Sequence, residues 1–288
     1  LVLGTFGRGF YILDDYSPLR HHYKTAAEKA AAIYPIKESL VFVERVPLGL
    51  RDKGHLGSSY FQTPNPAVGS VISYYLKDDL KTIKERRREA EKAALEKKEK
   101  TYYPAIDSLR AEDLQPEPYL LFTIKNSKGE VVRHLKAPGK KGLHRIVWDF
   151  RYNNPAPVNN RSVPAPDQLF GAPETGQLAA PGMYSVSLSK YEDGQLTELA
   201  APVSFSTKLL EQGSLPTDMA ANERFNNEVA KLRKASSAAA DLLGDMGRRL
   251  DAMDRAAIDQ PSSPGAALQQ IHALRLRVAD LQRRLSGD

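Results

Sequence analysis

Tyr119-Leu-Leu-Phe-Thr-Ile-Lys-Asn-Ser-Lys-Gly-Glu-Val-Val-Arg-His-Leu135 decides the reading of the fold. Tyr119–Lys125 carries the aromatic and β-branched content of a strand, Asn126-Ser-Lys-Gly129 has the composition of a tight turn, and Glu130–Leu135 returns as the mate. One short hairpin of this kind needs neighbours to bury its apolar side chains.

The neighbours follow in both directions. Downstream, Gly142–Tyr152 offers Leu143, Ile146 or Val147, Trp148 and Phe150 to a core. A Pro/Asn/Ala-rich loop over 153–180 leads to Pro181–Ser189, which alternates with period two. Glu192-Asp-Gly-Gln195 turns the chain into Leu196–Leu199, and Pro202–Thr207 closes the set. Upstream, Gly69–Leu76 is a strand by content. Strands at regular spacing, with turn signals between them, predict an antiparallel β-sandwich over 68–207. Lys77–Lys100 interrupts it with ten Lys/Arg and seven Asp/Glu. Opposite charges three or four apart there predict a solvated helical insertion.

The tail has a different period. Phe225, Val229, Leu232, Ser236, Ala239, Leu243, Met246, Leu250 and Met253 recur at alternating spacings of four and three, a heptad seam. Pro261-Ser-Ser-Pro-Gly265 breaks it. Leu268, Ile271, Leu274, Val278, Leu281 and Leu285 then form a second stripe. Residues 217–288 are expected to fold as an antiparallel helical hairpin, resting on a neighbouring surface or on a second copy.

At the other end, residues 1–15 read as two strands around Gly7-Arg8-Gly9, whose glycines supply positive φ. Such a hairpin belongs to a sheet with further strands, which makes the chain, on this reading, the C-terminal part of a larger protein. Residues 16–67 are expected to be a linker: a short helix over Lys24–Ala32, an extended stretch over Tyr34–Val43, and an irregular connection over 47–67.

Composition narrows the classes of function. The chain has 288 residues and no cysteine, which removes disulfides, thiolate metal sites and cysteine nucleophiles. No apolar run approaches the roughly 20 residues of a membrane helix, so no membrane span is expected. The net charge of +6 is spread among acids and not gathered on one aromatic-laced face, which argues against nucleic-acid binding.

Leu3-Gly-Thr-Phe-Gly-Arg-Gly-Phe-Tyr-Ile-Leu-Asp-Asp15 resembles the closing strands of the sortilin-like, BNR-repeat β-propeller proteins of environmental bacteria, often labelled glycosyl hydrolases. In that family the phrase usually runs Thr-His-Gly-Arg; here Phe6 stands in the place of the His. The resemblance continues through Pro64-Asn-Pro66, Gly69–Leu76, Gly129–Leu135, Gly142–Tyr152 and Pro181-Gly-Met-Tyr184. Those later segments also look like the immunoglobulin-like sandwich of flagellar hook-capping proteins and bacterial sorting modules. The resemblance implies a secreted or periplasmic protein with an upstream propeller as this region's partner. The implied fold is mainly β with α: an immunoglobulin-like β-sandwich, a C-terminal helical hairpin, and a remnant propeller hairpin at residues 1–15.

No catalytic, cofactor-binding or metal-binding residue is assigned from the sequence. Glycoside hydrolysis needs two facing carboxyl groups. Asp14 and Asp15 are adjacent and would point to opposite faces of a strand, so they are read as strand end and turn cap. Asp149 is read as a hydrogen-bonding or ion-pairing residue near Arg151 or Arg145. His21 and His22 lack further ligands nearby, while His134 and His144 lie on strands that could be neighbours. Gly4–Gly9 is Gly-rich yet lacks the Lys-Ser/Thr of a phosphate loop. Tyr60, Phe61, Tyr74, Tyr75, Tyr102 and Tyr103 could stack on sugars. The expected function is a non-catalytic accessory region that stabilises a propeller and mediates protein contacts. The alternatives are one wall of a glycoside hydrolase site and a carbohydrate-binding module with a glycan ligand.

Overall fold

The computed structural model describes residues 1–7, 9–13, 15–42, 66–157, 176–210, 218–260 and 265–287. The chain divides into two compact units, one of Leu1–Arg151 with Ala179–Thr217, the other of Tyr152–Leu178 with Asp218–Asp288.

The first unit holds ten strands and three helices among the described residues. Strands β1 (Val2–Thr5) and β2 (Gly9–Ile12) form a separate two-stranded sheet. Helix α1 (Ser17–Glu28) follows, with Pro18 in the first turn, where a helix requires no N–H. Next come β3 (Ala31–Ile33), β4 (Ser39–Val41) and β5 (Ser70–Leu76). Helices α2 (Ile83–Glu96) and α3 (Ile106–Leu114) separate β5 from β6 (Tyr119–Asn126), β7 (Val131–Pro138) and β8 (Gly142–Trp148). The last strands are β9 (Gly182–Glu192) and β10 (Gln195–Leu209).

Eight of these strands make two sheets, β4-β10-β9-β6-β7 and β3-β5-β8. Their inner faces meet through aromatic rings. Tyr74 of β5 packs edge-on against Phe122 of β6, with ring centroids 4.8 Å apart. Trp148 of β8 packs edge-on against Tyr184 of β9 at 4.8 Å and Phe205 of β10 at 6.0 Å. Period-two side-chain alternation is what places these rings inside: Leu120, Phe122 and Ile124 of β6 are fully buried, while Tyr119, Leu121 and Thr123 are half-buried and Lys125 is exposed. Trp148 is also fully buried, and its indole N–H donates to the Arg151 carbonyl at 3.0 Å, so no polar atom of the ring is stranded. Gly69 precedes β5 with φ +151°, and a Cβ there would stand 2.2 Å from the Trp148 carbonyl oxygen. Only glycine lets these two backbones approach so closely.

The sequence-based reading matches the described structure for β5 through β9 and departs from it at four places. The Ala-rich stretch expected to be helical up to Ala32 stops at Glu28, and Ala31 and Ala32 instead pair with Leu76 and Tyr75 as strand β3. Their small side chains are buried there, so tertiary packing overrides the high helix propensity of alanine. The sheets are not wholly antiparallel: β4 runs parallel to β10, Ser39 opposite Thr207. The two expected closing strands are one long strand, β10, with register irregularities between Glu198 and Val203. Pro202 sits in that irregular stretch, where a missing N–H breaks no ladder bond. Helix α3 has no counterpart in the sequence reading. The irregular connection expected over 47–67 and the loop over 153–180 fall mostly outside the described residues.

The charged insertion is helical, as expected, and none of its residues in α2 is buried. Thr82 and Glu85 form a capping box: the Glu85 N–H donates to Thr82 Oγ1 at 3.1 Å, and the Thr82 N–H donates to the Glu85 carboxylate at 2.9 Å. The helix is tethered through its charges. Arg87 binds Glu112 of α3 in a fork, Nε to Oε1 at 2.6 Å and Nη2 to Oε2 at 2.8 Å. The Ile83 N–H donates to Gln115 Oε1 at 2.7 Å, and Arg86 reaches Glu192 and Asp193 in the β9–β10 turn at 3.4 and 3.3 Å.

In the second unit, α4 (Met219–Ile258) and α5 (Gly265–Ser286) pair along Leu243, Leu250 and Ala257 on one helix and Ile271 and Val278 on the other. Of the first stripe read from the sequence only Leu243 and Leu250 are buried; Ala257 is not in it, and Phe225, Val229, Leu232, Met246 and Met253 are exposed. Near the start of α4, Tyr152 donates its hydroxyl to Glu223 at 2.9 Å and Gln177 donates its amide to Asn227. No described helix is long and apolar enough to cross a membrane.

Candidate functional site

Two places in the first unit merit attention as sites: the β1–β2 hairpin and a charged cleft beside β5. The hairpin is regular. Val2 faces Ile12, Leu3 faces Tyr11, Gly4 faces Phe10 and Thr5 faces Gly9. The terminal Leu1 ammonium donates to the Leu13 carbonyl at 3.0 Å, and the Leu13 N–H returns to the Leu1 carbonyl at 2.8 Å. Gly7 and Gly9 take φ of +74° and +82°, as the three-residue connection demands. Every described residue of both strands is exposed on both faces. Phe6 is fully exposed, and Phe10 is 81% and Ile12 70% exposed.

Immediately after the hairpin the chain is anchored. Asp15 accepts from the Ser17 N–H at 2.9 Å and from the Ser17 hydroxyl, and so starts α1. Burial pushes the Asp15 carboxyl up, but the two Ser17 hydrogen bonds, with Lys37 and Arg145 nearby, bring it below its ordinary value. Arg145 donates to the Asp15 carbonyl at 3.2 Å. His22 of α1 then reaches the outer face of the β3-β5-β8 sheet. Its Nδ1 lies 2.8 Å from the Tyr34 hydroxyl, and its ring packs edge-on against Tyr75 at 4.9 Å. Burial, with Tyr75 adding a little, raises the Tyr34 phenol above its usual value.

The cleft has a volume of about 510 Å³. Its floor includes Ala30, Leu76, Leu80 and Leu199, and its rim carries four cations and three carboxylates. Several of these charges satisfy one another: Lys190 binds Glu192 at 2.7 Å, Arg86 binds Glu192 at 3.4 Å, and Asp79 accepts from the Lys141 N–H at 2.8 Å. That backbone hydrogen bond, with Lys140, Lys141 and Lys81 around it, keeps the Asp79 carboxyl below its usual value. Histidine and hydroxyl side chains are missing from the lining.

The residues weighed from the sequence do not converge. Asp15 caps α1, and Asp14 lies outside the described residues. Asp149 accepts from the Arg151 N–H at 3.1 Å in the turn after β8. His134 and His144 are on β7 and β8, which belong to different sheets and are not paired strands. His134 sits 3.2 Å from Thr123 Oγ1, and His144 stands beside Tyr74. Among the described residues no three His, Asp or Glu side chains are grouped as a metal site would need. Of the aromatics weighed for sugar stacking, Tyr74 is buried against Phe122, Tyr75 contacts His22, and Tyr60 and Phe61 lie outside the described residues. Tyr102 and Tyr103 are well exposed. Two features escaped the sequence reading. The Arg87–Glu112 fork spans 25 residues and has no local signature, and the cleft draws on segments scattered from Ala30 to Leu199.

No family model, curated protein or solved structure matches the chain.

Proposed function

We propose that the chain is a non-catalytic accessory region of a secreted or periplasmic β-propeller protein, attached through the β1–β2 hairpin to strands supplied by the propeller. The observation that carries this reading is the hairpin itself: two well-formed strands with apolar side chains on both faces and no described residue of the chain covering either. Two-stranded ribbons are marginal in water, whereas a ribbon inserted in a sheet gains ladder partners and buries both faces. The Asp15–Ser17 cap and the Arg145 contact hold the point of attachment firmly to the remainder of the unit.

The eight-stranded part is read as an immunoglobulin-like sandwich. Support comes from Trp148 at the centre of the core and from Tyr184, near the start of β9, whose hydroxyl donates back to the Ala180 carbonyl four residues upstream. That backward bond has the form of the tyrosine corner of such sandwiches. The secreted setting follows from the resemblance alone.

The test is hydrogen exchange of residues 2–12, measured in this chain and in a longer polypeptide that includes the proposed propeller. Strong protection of Leu3, Tyr11 and Ile12 only in the longer polypeptide is the expected result. Equal exchange in both would remove the basis for the reading. Glycoside turnover by the 288-residue chain, abolished by single substitutions within it, would contradict its non-catalytic character.

A further inference from the structure

Helices α2 and α3 make an arm whose two ends differ. Lys84 binds Asp113 at 3.5 Å, Arg87 forks onto Glu112, and the Ile83 N–H donates to Gln115, so the start of α2 lies beside the end of α3. The end of α2, the connection over 97–105 and the start of α3 form the far end of the arm, about 13 Å beyond Arg87 at ~1.5 Å per residue. At the root, Lys81, Lys84, Arg86 and Arg87 all bind carboxylates. At the far end, Lys92, Lys97, Lys98 and Lys100 form no ion pair with any described residue, and neither do Glu96 and Glu99. Residues 92–106 thus carry four lysines and two glutamates, a net +2 that the arm leaves open to solvent. Every residue from 95 to 103 is exposed. Leu95 is 62%, Tyr102 84% and Tyr103 87% exposed, and Ile106 opens α3 at 66%. Four large apolar side chains stand in water around the unpaired lysines.

We propose that the far end of this arm is a peripheral docking tip for an anionic phospholipid surface. Charge and side-chain chemistry select this occupant together. The lysines are cations that nothing described in the chain neutralises, and each such residue near an anionic leaflet gains roughly fivefold in partitioning. Their long stems can lie along the surface while the ammonium stays hydrated. Tyrosine belongs to the side chains that concentrate at headgroup level, ring in the interface and hydroxyl in water. Leu95 and Ile106 favour lipid over nucleic acid, because an aliphatic side chain enters the acyl boundary but has no π-face to stack on a base. Binding to such surfaces scales with apolar area buried plus attraction to anionic headgroups, and the tip supplies both. The proposal is independent of the propeller reading.

Flotation of the 288-residue chain with vesicles tests it, equimolar phosphatidylglycerol and phosphatidylcholine against phosphatidylcholine alone. The expected result is binding to the anionic vesicles only, weakening as salt is added. Lys97→Glu, Lys98→Glu and Lys100→Glu combined should weaken it roughly a hundredfold or more. Lys231→Glu, Arg233→Glu and Lys234→Glu combined, on exposed positions of α4, change the net charge equally and should leave most of the binding in place. Tyr102→Ala with Tyr103→Ala should weaken binding without altering its salt dependence. Tyr102→Trp gives a second readout that needs no charge reversal. Its indole emission should shift to the blue on anionic vesicles, over the constant signal of the fully buried Trp148. Failure to bind anionic vesicles, binding that survives the tip reversal, equal loss from both charge reversals, or an unshifted emission each overturns the proposal. Tighter binding of an oligonucleotide, abolished by the same tip reversal, also overturns it and assigns the tip to nucleic acid.

Discussion

Two of the described β-hairpins, β6–β7 and β1–β2, share a sequence logic and have opposite fates. β6 and β7 alternate buried and partly exposed residues, with Phe122, Ile124 and Val132 sealed between sheets. β1 and β2 have equally good register and turn glycines, yet bury nothing. Hydrogen-bond pairing is present in both. What separates them is a facing layer: β6–β7 has Tyr74 of the other sheet and the neighbouring β9 strand to take its apolar side chains out of water. Ladder bonds contribute little net stability because water competes for each of them, whereas apolar burial has no such competitor. Strand formation and structural anchorage are therefore separate properties.

Substitutions can break or sharpen this contrast. The largest effect belongs to Phe122→Ala, which removes a ring from the sealed side of β6. A loss of about 3–5 kcal/mol is expected from lost transfer energy and the cavity left behind, measured by denaturant unfolding. Glu112 comes next and concerns α2, an element that, like the exposed hairpin, has no buried residue but is tethered by charge. The Arg87 hydrogen bonds hold the Glu112 carboxyl below its ordinary value. The folded state thus binds that proton less tightly than the unfolded state. Its stabilisation is complete above the unfolded value of about 4.5 and is lost as pH falls through the lower folded value. Glu112→Gln should lower the melting temperature at neutral pH, and the gap from the native chain should close in strong acid. Thr82→Ala removes the cap of α2 and is expected to cost about 1 kcal/mol, within the ~0.5–2 kcal/mol range for such caps. The smallest effect is expected for Phe10→Ala in β2, within about 0.5 kcal/mol of the native chain, because an exposed side chain has little burial to lose.

The same contrast explains what could be read from residues alone. The β6–β7 hairpin, β8, β9 and the charged helix carry their periods locally, and each lies where its pattern puts it; of the α4 heptad stripe, Leu243 and Leu250 are buried whereas Phe225, Val229 and Leu232 are exposed. β3 was hidden because Ala31 and Ala32 favour a helix in isolation and become strand residues only beside Tyr75 and Leu76. The parallel β4–β10 pair joins Ser39 to Thr207, a partnership with no local trace. For the candidate sites, the turn glycines and strand content of β1–β2 were legible, and the role of Asp15 as a cap was too. The cleft was not, since its charges come from the chain after β5, α2, the β7–β8 connection and β9.

Native-state hydrogen exchange on the two hairpins of this chain, in one experiment, tests the central claim most directly. The account expects β6 and β7 amides, such as those of Phe122 and Ile124, to open only near the global unfolding free energy. Amides of Leu3 and Tyr11 in β1 and β2, which face each other as a hydrogen-bonded pair, should exchange by local opening at a small fraction of it. Equal protection of the two hairpins would contradict the account, because β1–β2 would then be anchored without a facing layer.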